Sequence, residues 1–105
     1  MENTYQQITQ EQAKEIMDTQ EGFILLDVRT QQEYDMGYIP GAICIPNEEI
    51  DENVTEQLPD KDQLILVYCR SGNRSKQAAE KLAKLGYTNV QEFGGINTWA
   101  YRVTR

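Results

Sequence analysis

The chain has 105 residues, with 17 acidic and ten basic side chains, a net charge of −7, two cysteines and no histidine. One domain is expected over residues 1–105, with a core from about Ile8 to Val103. The missing histidine excludes Ser-His-Asp and Cys-His catalysis, and two cysteines cannot build a four-sulfur zinc site or an iron–sulfur cluster. We therefore expect neither a metal nor a cofactor.

Acidic and basic side chains are divided unequally along the chain. Residues 1–60 contain 14 acidic and two basic residues, whereas residues 61–105 contain three acidic and eight basic residues. The overall acidity argues against nucleic-acid binding, which depends on Lys and Arg neutralising phosphates. The N-terminus lacks the pattern of a secretory signal, and the longest apolar run, Phe23–Leu26, is too short to span a membrane. A cytoplasmic protein with free thiols is expected.

The first half of the chain predicts helices and strands that alternate. In chain order these are a helix over 10–18, a strand over 23–28, a helical turn over 31–36, a strand over 42–45 and an acidic helix over 48–58. Thr9 and Gln12 form a capping-box pattern at the first helix. The apolar run of the first strand is typical of a buried parallel strand, and Asp27 and Arg29 lie at its C-terminal end.

The second half repeats the alternation. Its predicted elements are a strand over 64–68, a polar loop over 69–74, a helix that ends at Gly86, a strand over 90–93 and a closing helix from Gly94. Ile96, Trp99 and Val103 would lie on the inner face of the closing helix. The whole pattern predicts an α/β domain with a small, mainly parallel sheet flanked by helices on both faces.

A cysteine at the end of the predicted central strand is the main candidate for chemistry. Ligands of open α/β sheets bind beyond the carboxyl ends of the strands, where Cys69 is placed. The polar segment Arg70-Ser71-Gly72-Asn73-Arg74-Ser75 follows and leads into a helix, so its N–H groups can form an anion cradle. A free thiol is mostly protonated at pH 7, and such a cradle favours the reactive thiolate. The alternative is that Cys69 is a small buried core residue.

Four stretches, in order along the chain, resemble the signatures of rhodanese-type sulfurtransferases. The segment from Cys69 to Ser75 resembles their active-site loop. The other three stretches are Leu26-Asp27-Val28-Arg29 with Glu33-Tyr34, the run over 37–46, and Gly94-Gly95-Ile96 with Trp99. The resemblance extends from about Ile8 to Trp99 and implies a rhodanese-like fold in its single-domain form.

The resemblance also implies a reaction. Cys69 would take the outer sulfur of a donor such as thiosulfate, polysulfide or a persulfide, and a thiol acceptor, in some cases a protein, or cyanide would then remove it. Amides from Arg70 to Ser75 would hold the anionic sulfur, while the Arg70 and Arg74 side chains would attract the donor. An alternative for Arg74 is an ion pair with a carboxylate.

Four further positions match or depart from the family pattern. Asp27 and Arg29 are interpreted mainly as structural residues that tie the first strand end to neighbouring loops, with a direct catalytic part as the alternative. Tyr38 stands where the family usually has histidine, and Cys44 where it often has asparagine. Cys44 is interpreted as strand packing or as a resolving thiol for Cys69, and a disulfide would need their Cα atoms within about 7 Å.

Two other functions are alternatives. Cysteine phosphatases and arsenate reductases place an arginine six residues after their cysteine, where this chain has Ser75, and its own arginine comes one residue earlier at Arg74. A non-catalytic binding module with the same fold would be expected to have lost the cysteine, and Cys69 is present. Both alternatives therefore fit the sequence less well than sulfur transfer.

Overall fold

The computed structural model describes residues 4–105, which contain a five-stranded parallel sheet. Its strands are β1 (Gln6–Gln7), β2 (Ile24–Asp27), β3 (Ile43–Cys44), β4 (Ile65–Cys69) and β5 (Val90–Gly95). They lie in the order β1-β5-β4-β2-β3, and every neighbouring pair is parallel. The predicted α/β class is confirmed. Residues 1–3, part of the segment that lacks a signal pattern, lie outside the described residues.

Helices connect the strands, as parallel pairing requires. They are α1 (Gln10–Thr19), α2 (Gln31–Asp35) and α3 (Asn73–Lys84). The predicted capping box of α1 is present, because Thr9 Oγ1 accepts from the Gln12 N–H and the Gln12 side chain accepts from the Thr9 N–H. No helix within residues 4–105 combines the length and apolar character needed to cross a bilayer.

The sheet is covered on both faces, as the sequence predicts. One face packs against α3, through residues such as Ala78 and Leu82, and against the segment that holds Val54. The other face packs against Ala13 of α1 and the Trp99 region. All five residues of β4 are buried, so its C-terminal end is held rigidly in the middle of the sheet edge.

The acidic helix predicted over 48–58 is wrong. The segment forms two short 3-10 helices, Asn47–Glu49 and Glu52–Glu56, with extended backbone between them at Ile50 and Asp51. The Asp51 carboxylate accepts from the Asn53 N–H, and this local bond competes with a continuous helix. The apolar spacing nevertheless serves packing, because Ile50, Val54 and Leu58 are all buried.

The closing helix predicted from Gly94 is also wrong. Gly94 and Gly95 belong to β5, and a single 3-10 turn, Ile96–Thr98, follows. Residues 99–105 contain no further helix, and Thr104 pairs with Tyr38 in an antiparallel bridge. Val103 is 46% exposed instead of inward-facing. A bridge to Tyr38 satisfies backbone groups that a helix would otherwise have paired internally.

Candidate active site

Cys69 is the last residue of β4, and its side chain lies on the face of the sheet that α3 covers. The pairing of β4 with β5 is irregular between Val67 and Cys69, so Cys69 comes opposite Gly95. The residue is only 1% exposed. Its sulfur therefore lies inside the loop that joins β4 to α3, as the sequence predicts for a strand-end site.

The loop turns its amides toward this sulfur. Gly72 has φ of +110°, which is open to glycine at little cost, and its N–H donates to Cys69 Sγ at 3.0 Å. Helix α3 begins at Asn73 with no side-chain hydrogen bond at its N-cap. The first N–H groups of a helix need an acceptor, and here the sulfur supplies one.

These contacts outweigh the effect of burial on the thiol. Burial by itself raises the pKa of Cys69, but hydrogen bonds from the Ser75 side chain and from the backbone N–H groups of Ser75, Gly72 and Ser71 lower it further than burial raises it. The net pKa of the thiol lies below its ordinary value. A sulfur held in this way is more nucleophilic at neutral pH than an unassisted cysteine.

The loop is held against β5 by a close backbone approach. A side-chain carbon on Gly95 would lie 2.1 Å from the Arg70 carbonyl oxygen, so only glycine fits at this position. The same carbonyl accepts from the Asn97 N–H at 3.1 Å. The Gly95 carbonyl in turn accepts from the Gln10 side chain at 2.8 Å. The double glycine therefore fixes the distance between the loop and the sheet.

The two loop arginines have different surroundings. Arg74 donates through both terminal nitrogens to the carboxylate of Glu33, at 2.6 and 2.9 Å. The alternative of an ion pair is thus the arrangement observed, and much of the charge of Arg74 is compensated. Arg70 is exposed. Of the two, Arg70 is the cation better placed to meet an approaching anion.

The matching family model is "Rhodanese-like domain", and it covers residues 9–102 of this chain. The chain belongs to the rhodanese-like family. It is 41% identical over 71 residues to "Thiosulfate sulfurtransferase PspE" of Escherichia coli, with 68% of each chain covered. It is 39% identical over 89 residues to a "Sulfurtransferase" of Allochromatium vinosum, covering 84% of this chain and 80% of that one.

Solved structures place this rhodanese-like chain in the same fold. The structure "rhodanese with anions from E. coli" superimposes with a TM-score of 0.71 at 36% identity, covering 78% of this chain and 96% of that chain. The chain spans 21% and 50% of two other, longer relatives that it matches. The rhodanese-like sulfurtransferase assignment therefore comes from both sequence and fold.

Ser75 and Glu92 form a contact beside the cysteine that the sequence does not predict. Ser75 Oγ lies 3.4 Å from Cys69 Sγ and 2.6 Å from Glu92 Oε2. Glu92 is 2% exposed and also accepts from the Gly94 N–H at 2.8 Å. A charged residue between the apolar Val90 and Phe93 in the same short strand is the sequence signal that could have drawn attention to it.

Asp27 and Arg29 form a buried ion pair at the end of β2. Arg29 donates to the Asp27 carboxylate at 2.7 Å and to the Gly37 carbonyl at 2.6 Å. Register places Asp27 beside Tyr68, on the face opposite Cys69. These contacts tie a strand end to the next loop, and neither side chain contacts the sulfur within the described residues.

Cys44 lies away from Cys69. Register places it beside Asp27 of β2, and β2 separates it from β4. Two strand spacings put the Cα atoms of the two cysteines at least about 9 Å apart, beyond the span of a disulfide. Burial, then the charge of Asp27, raises the pKa of Cys44 to about 11. No cluster of three potential metal ligands occurs within residues 4–105.

Proposed function

We propose that this rhodanese-like chain transfers sulfane sulfur through a persulfide on Cys69. The observation that supports this best is the sulfur itself, which accepts the Gly72 N–H at 3.0 Å at the start of an otherwise uncapped helix. The donor would be thiosulfate, a polysulfide or a persulfide, and the acceptor a thiol. The name of the E. coli relative, thiosulfate sulfurtransferase, supports thiosulfate as the first donor to test.

In the first step the Cys69 thiolate attacks the outer sulfur of thiosulfate. A new S–S bond forms at Cys69, the bond between the two donor sulfurs breaks, and sulfite leaves with its electron pair. The loop amides that held the anionic thiolate then hold the anionic persulfide. They therefore stabilise the negative charge on sulfur both before and after the step. Because Cys69 is almost fully buried, the site favours donors whose transferable sulfur is terminal.

In the second step an acceptor thiolate attacks the outer sulfur of the persulfide. The acceptor becomes a persulfide, and the electron pair of the broken S–S bond returns to Cys69 as thiolate. Splitting the transfer into two attacks on one cysteine predicts ping-pong kinetics. Within the described residues the chemistry uses only thiol, hydroxyl, carboxylate and backbone groups.

The geometry supports sulfur transfer over phosphate chemistry. A phosphatase loop needs an arginine free to hold the phosphate, and Arg74 is paired with Glu33 through both of its terminal nitrogens. A docking module would have no need to lower the pKa of a buried cysteine, and the pKa of Cys69 is lowered. The pairing of Arg74 thus argues against phosphate chemistry, and the lowered pKa of Cys69 argues against a docking module.

Intact mass spectrometry tests the proposal directly. After treatment with thiosulfate the chain should gain the mass of one sulfur atom, and a thiol such as glutathione should remove it. Cys69→Ser should gain nothing, and Cys44→Ser should gain one sulfur like the unchanged chain. Turnover of a phosphotyrosine or arsenate substrate without any sulfur gain would contradict the proposal.

A further inference from the structure

The Ser75 hydroxyl is surrounded by more hydrogen-bond acceptors than it can serve. Its oxygen lies 2.6 Å from Glu92 Oε2, 3.0 Å from the Gly72 carbonyl, 3.3 Å from the Gly94 carbonyl and 3.4 Å from Cys69 Sγ. A serine hydroxyl has one proton to donate. The shortest of these contacts is to the carboxylate, and a charged acceptor forms the stronger bond.

Two arrangements of protons satisfy all three side chains. In one, the Cys69 thiol donates to Ser75 Oγ, and the Ser75 hydroxyl donates to the Glu92 carboxylate. In the other, a protonated Glu92 donates to Ser75 Oγ, and the Ser75 hydroxyl donates to the Cys69 thiolate. The two differ by one proton shift at each end of the serine, and both carry a single negative charge.

A Cys69 thiolate beside an ionised Glu92 would leave the hydrogen bonds among these three side chains incomplete. The single Ser75 proton would then face two anions, and one of them would keep only its backbone donor, the Gly72 N–H at Cys69 or the Gly94 N–H at Glu92. Both anions are buried, which makes a missing hydrogen bond costly. A proton on Glu92 removes this competition, because the Ser75 hydroxyl is then free to donate to Cys69 Sγ.

We propose that Glu92 takes the proton of Cys69 through Ser75 when the thiolate forms. The thiol proton moves to Ser75 Oγ as the hydroxyl proton moves to Glu92 Oε2, the electron pair of the S–H bond stays on sulfur, and the total charge is unchanged. Glu92 acts through Ser75 and touches no substrate, so it is a positioning residue. The inference rests on the proposed function in one respect, which is that the proposed sulfur transfer uses this thiolate as its nucleophile.

Other charged groups around the three side chains come from α3 and the loop. The pKa of Arg74 is raised mainly by its hydrogen bond to Glu33, and the nearby Cys69 sulfur makes a smaller contribution. Lys76 lines, with Glu92, an open cavity of about 330 Å3 whose walls from the β1–α1 segment, such as Gln10, are uncharged. Both cations favour the single negative charge that the Cys69, Ser75 and Glu92 side chains share. The cavity gives Glu92 a route for proton exchange with solvent.

Replacing Glu92 distinguishes proton acceptance from simple charge repulsion. The Cys44→Ser chain should show Cys69 alkylation by iodoacetamide rising in two steps with pH, because Cys69 and Glu92 share one proton between the steps. Glu92→Gln on the same background cannot take the proton, although its amide can still donate to Ser75, so its alkylation should rise in a single step. If Glu92 stays ionised and only places a negative charge near the sulfur, the Cys44→Ser chain should also show a single step, and Glu92→Gln should shift that step downward. Glu80→Gln on the exposed face of α3 is the matched control and should leave the curve in place.

An infrared measurement keeps the test valid if Glu92→Gln does not fold. The Cys44→Ser chain at pH 7 should show the carbonyl band of one protonated carboxylic acid. Alkylation of Cys69 should remove this band, because the alkylated sulfur cannot carry the negative charge, which then returns to the Glu92 carboxylate. An unchanged spectrum, or a single alkylation step in the Cys44→Ser chain, would overturn the inference. Neither readout involves sulfur transfer, so failure of the proposed function is seen separately in the mass experiment.

Discussion

Arg74 and Glu33 join the first turn of α3 to α2, with both arginine nitrogens donating to the two carboxylate oxygens at 2.6 and 2.9 Å. The same carboxylate accepts from the Thr30 N–H at 3.1 Å as part of the capping box of α2. The Glu33 side chain thus caps the N-terminus of α2 and also holds Arg74 in place. This pair therefore connects the cysteine loop to the acidic half of the chain.

This pair predicts a loss of stability in acid. The Arg74 hydrogen bonds, helped by the N–H and hydroxyl of Thr30, lower the pKa of Glu33 from 4.5 to about 2. Because the folded-state pKa is the lower one, the stabilisation is present above pH 4.5 and is lost as pH falls toward 2. The pair is partly exposed, so we expect about 1 kcal/mol or less.

Urea unfolding at pH 6 and pH 3 measures this contribution. Glu33→Gln should be less stable than the unchanged chain at pH 6 and closer to it at pH 3. Glu80→Gln, which breaks only the exposed Glu80–Lys84 pair, should show almost no difference at either pH. An equal deficit of Glu33→Gln at both pH values would contradict the assignment.

Arg70 is expected to control the affinity for anionic donors. It is exposed at the mouth of the loop, whereas the charge of Arg74 is compensated by Glu33. Arg70→Gln should raise the KM for thiosulfate several-fold with little change in kcat, and the difference should shrink as salt is added. Arg105→Gln, at the C-terminus, is the control. A fall in kcat with constant KM would instead place Arg70 in the chemical step.

The elements that the sequence predicts well are those with local signals. Strands β2 and β4 are apolar runs, and α1 has its capping box. Helix α3 ends at Lys84, with Leu85 as its C-cap and Gly86 next at φ of +100°. Strand β1 consists only of Gln6–Gln7, which is polar and too short to show the alternation of apolar and polar residues that identifies a strand. Its strand character comes from pairing with β5, a contact between distant parts of the chain.

The candidate site divides in the same way. Cys69 and its loop can be recognised because the strand, the glycine and the helix start are consecutive. Glu33 and Arg74 are separated by 41 residues, and Ser75 and Glu92 by 17, so their contacts depend on how the elements pack. A sequence pattern cannot choose among 17 acidic residues for the partners of one arginine and one serine.

Gly95→Ala is expected to displace the cysteine loop. The added carbon would meet the Arg70 carbonyl at 2.1 Å, and both groups are backbone, so the loop must move away from β5. We expect at least about tenfold slower alkylation of Cys69 and a loss of about 2 kcal/mol in unfolding free energy. Gly41→Ala is the comparison for backbone strain without a close contact, because Gly41 has a φ of +90° in open surroundings, whereas Gly95 has an ordinary extended φ of −133°. Equal effects of the two changes would argue against the close approach.

The Asp27–Arg29 pair is expected to hold the fold and to have little influence on the sulfur. Asp27→Asn leaves the buried Arg29 without its counter-charge and should cost about 3–5 kcal/mol, measured by urea unfolding. The double change Asp27→Asn, Arg29→Met should cost less than the single one, because no charge is left unpaired. If Asp27→Asn instead lowered the sulfur-transfer rate of a fully folded chain, a direct catalytic part for Asp27 would be supported.

Cys44 is expected to be inert under conditions in which Cys69 reacts. Its pKa of about 11 leaves almost no thiolate at pH 7, whereas the loop amides favour the thiolate of Cys69. Limited alkylation at pH 7 followed by peptide mass spectrometry should therefore find the label on Cys69 first. Oxidation by mild peroxide should give no Cys44–Cys69 disulfide, because β2 lies between the two strands that carry them. A disulfide formed within one folded chain would show that the two strand ends separate in solution, and it would restore Cys44 as a resolving thiol.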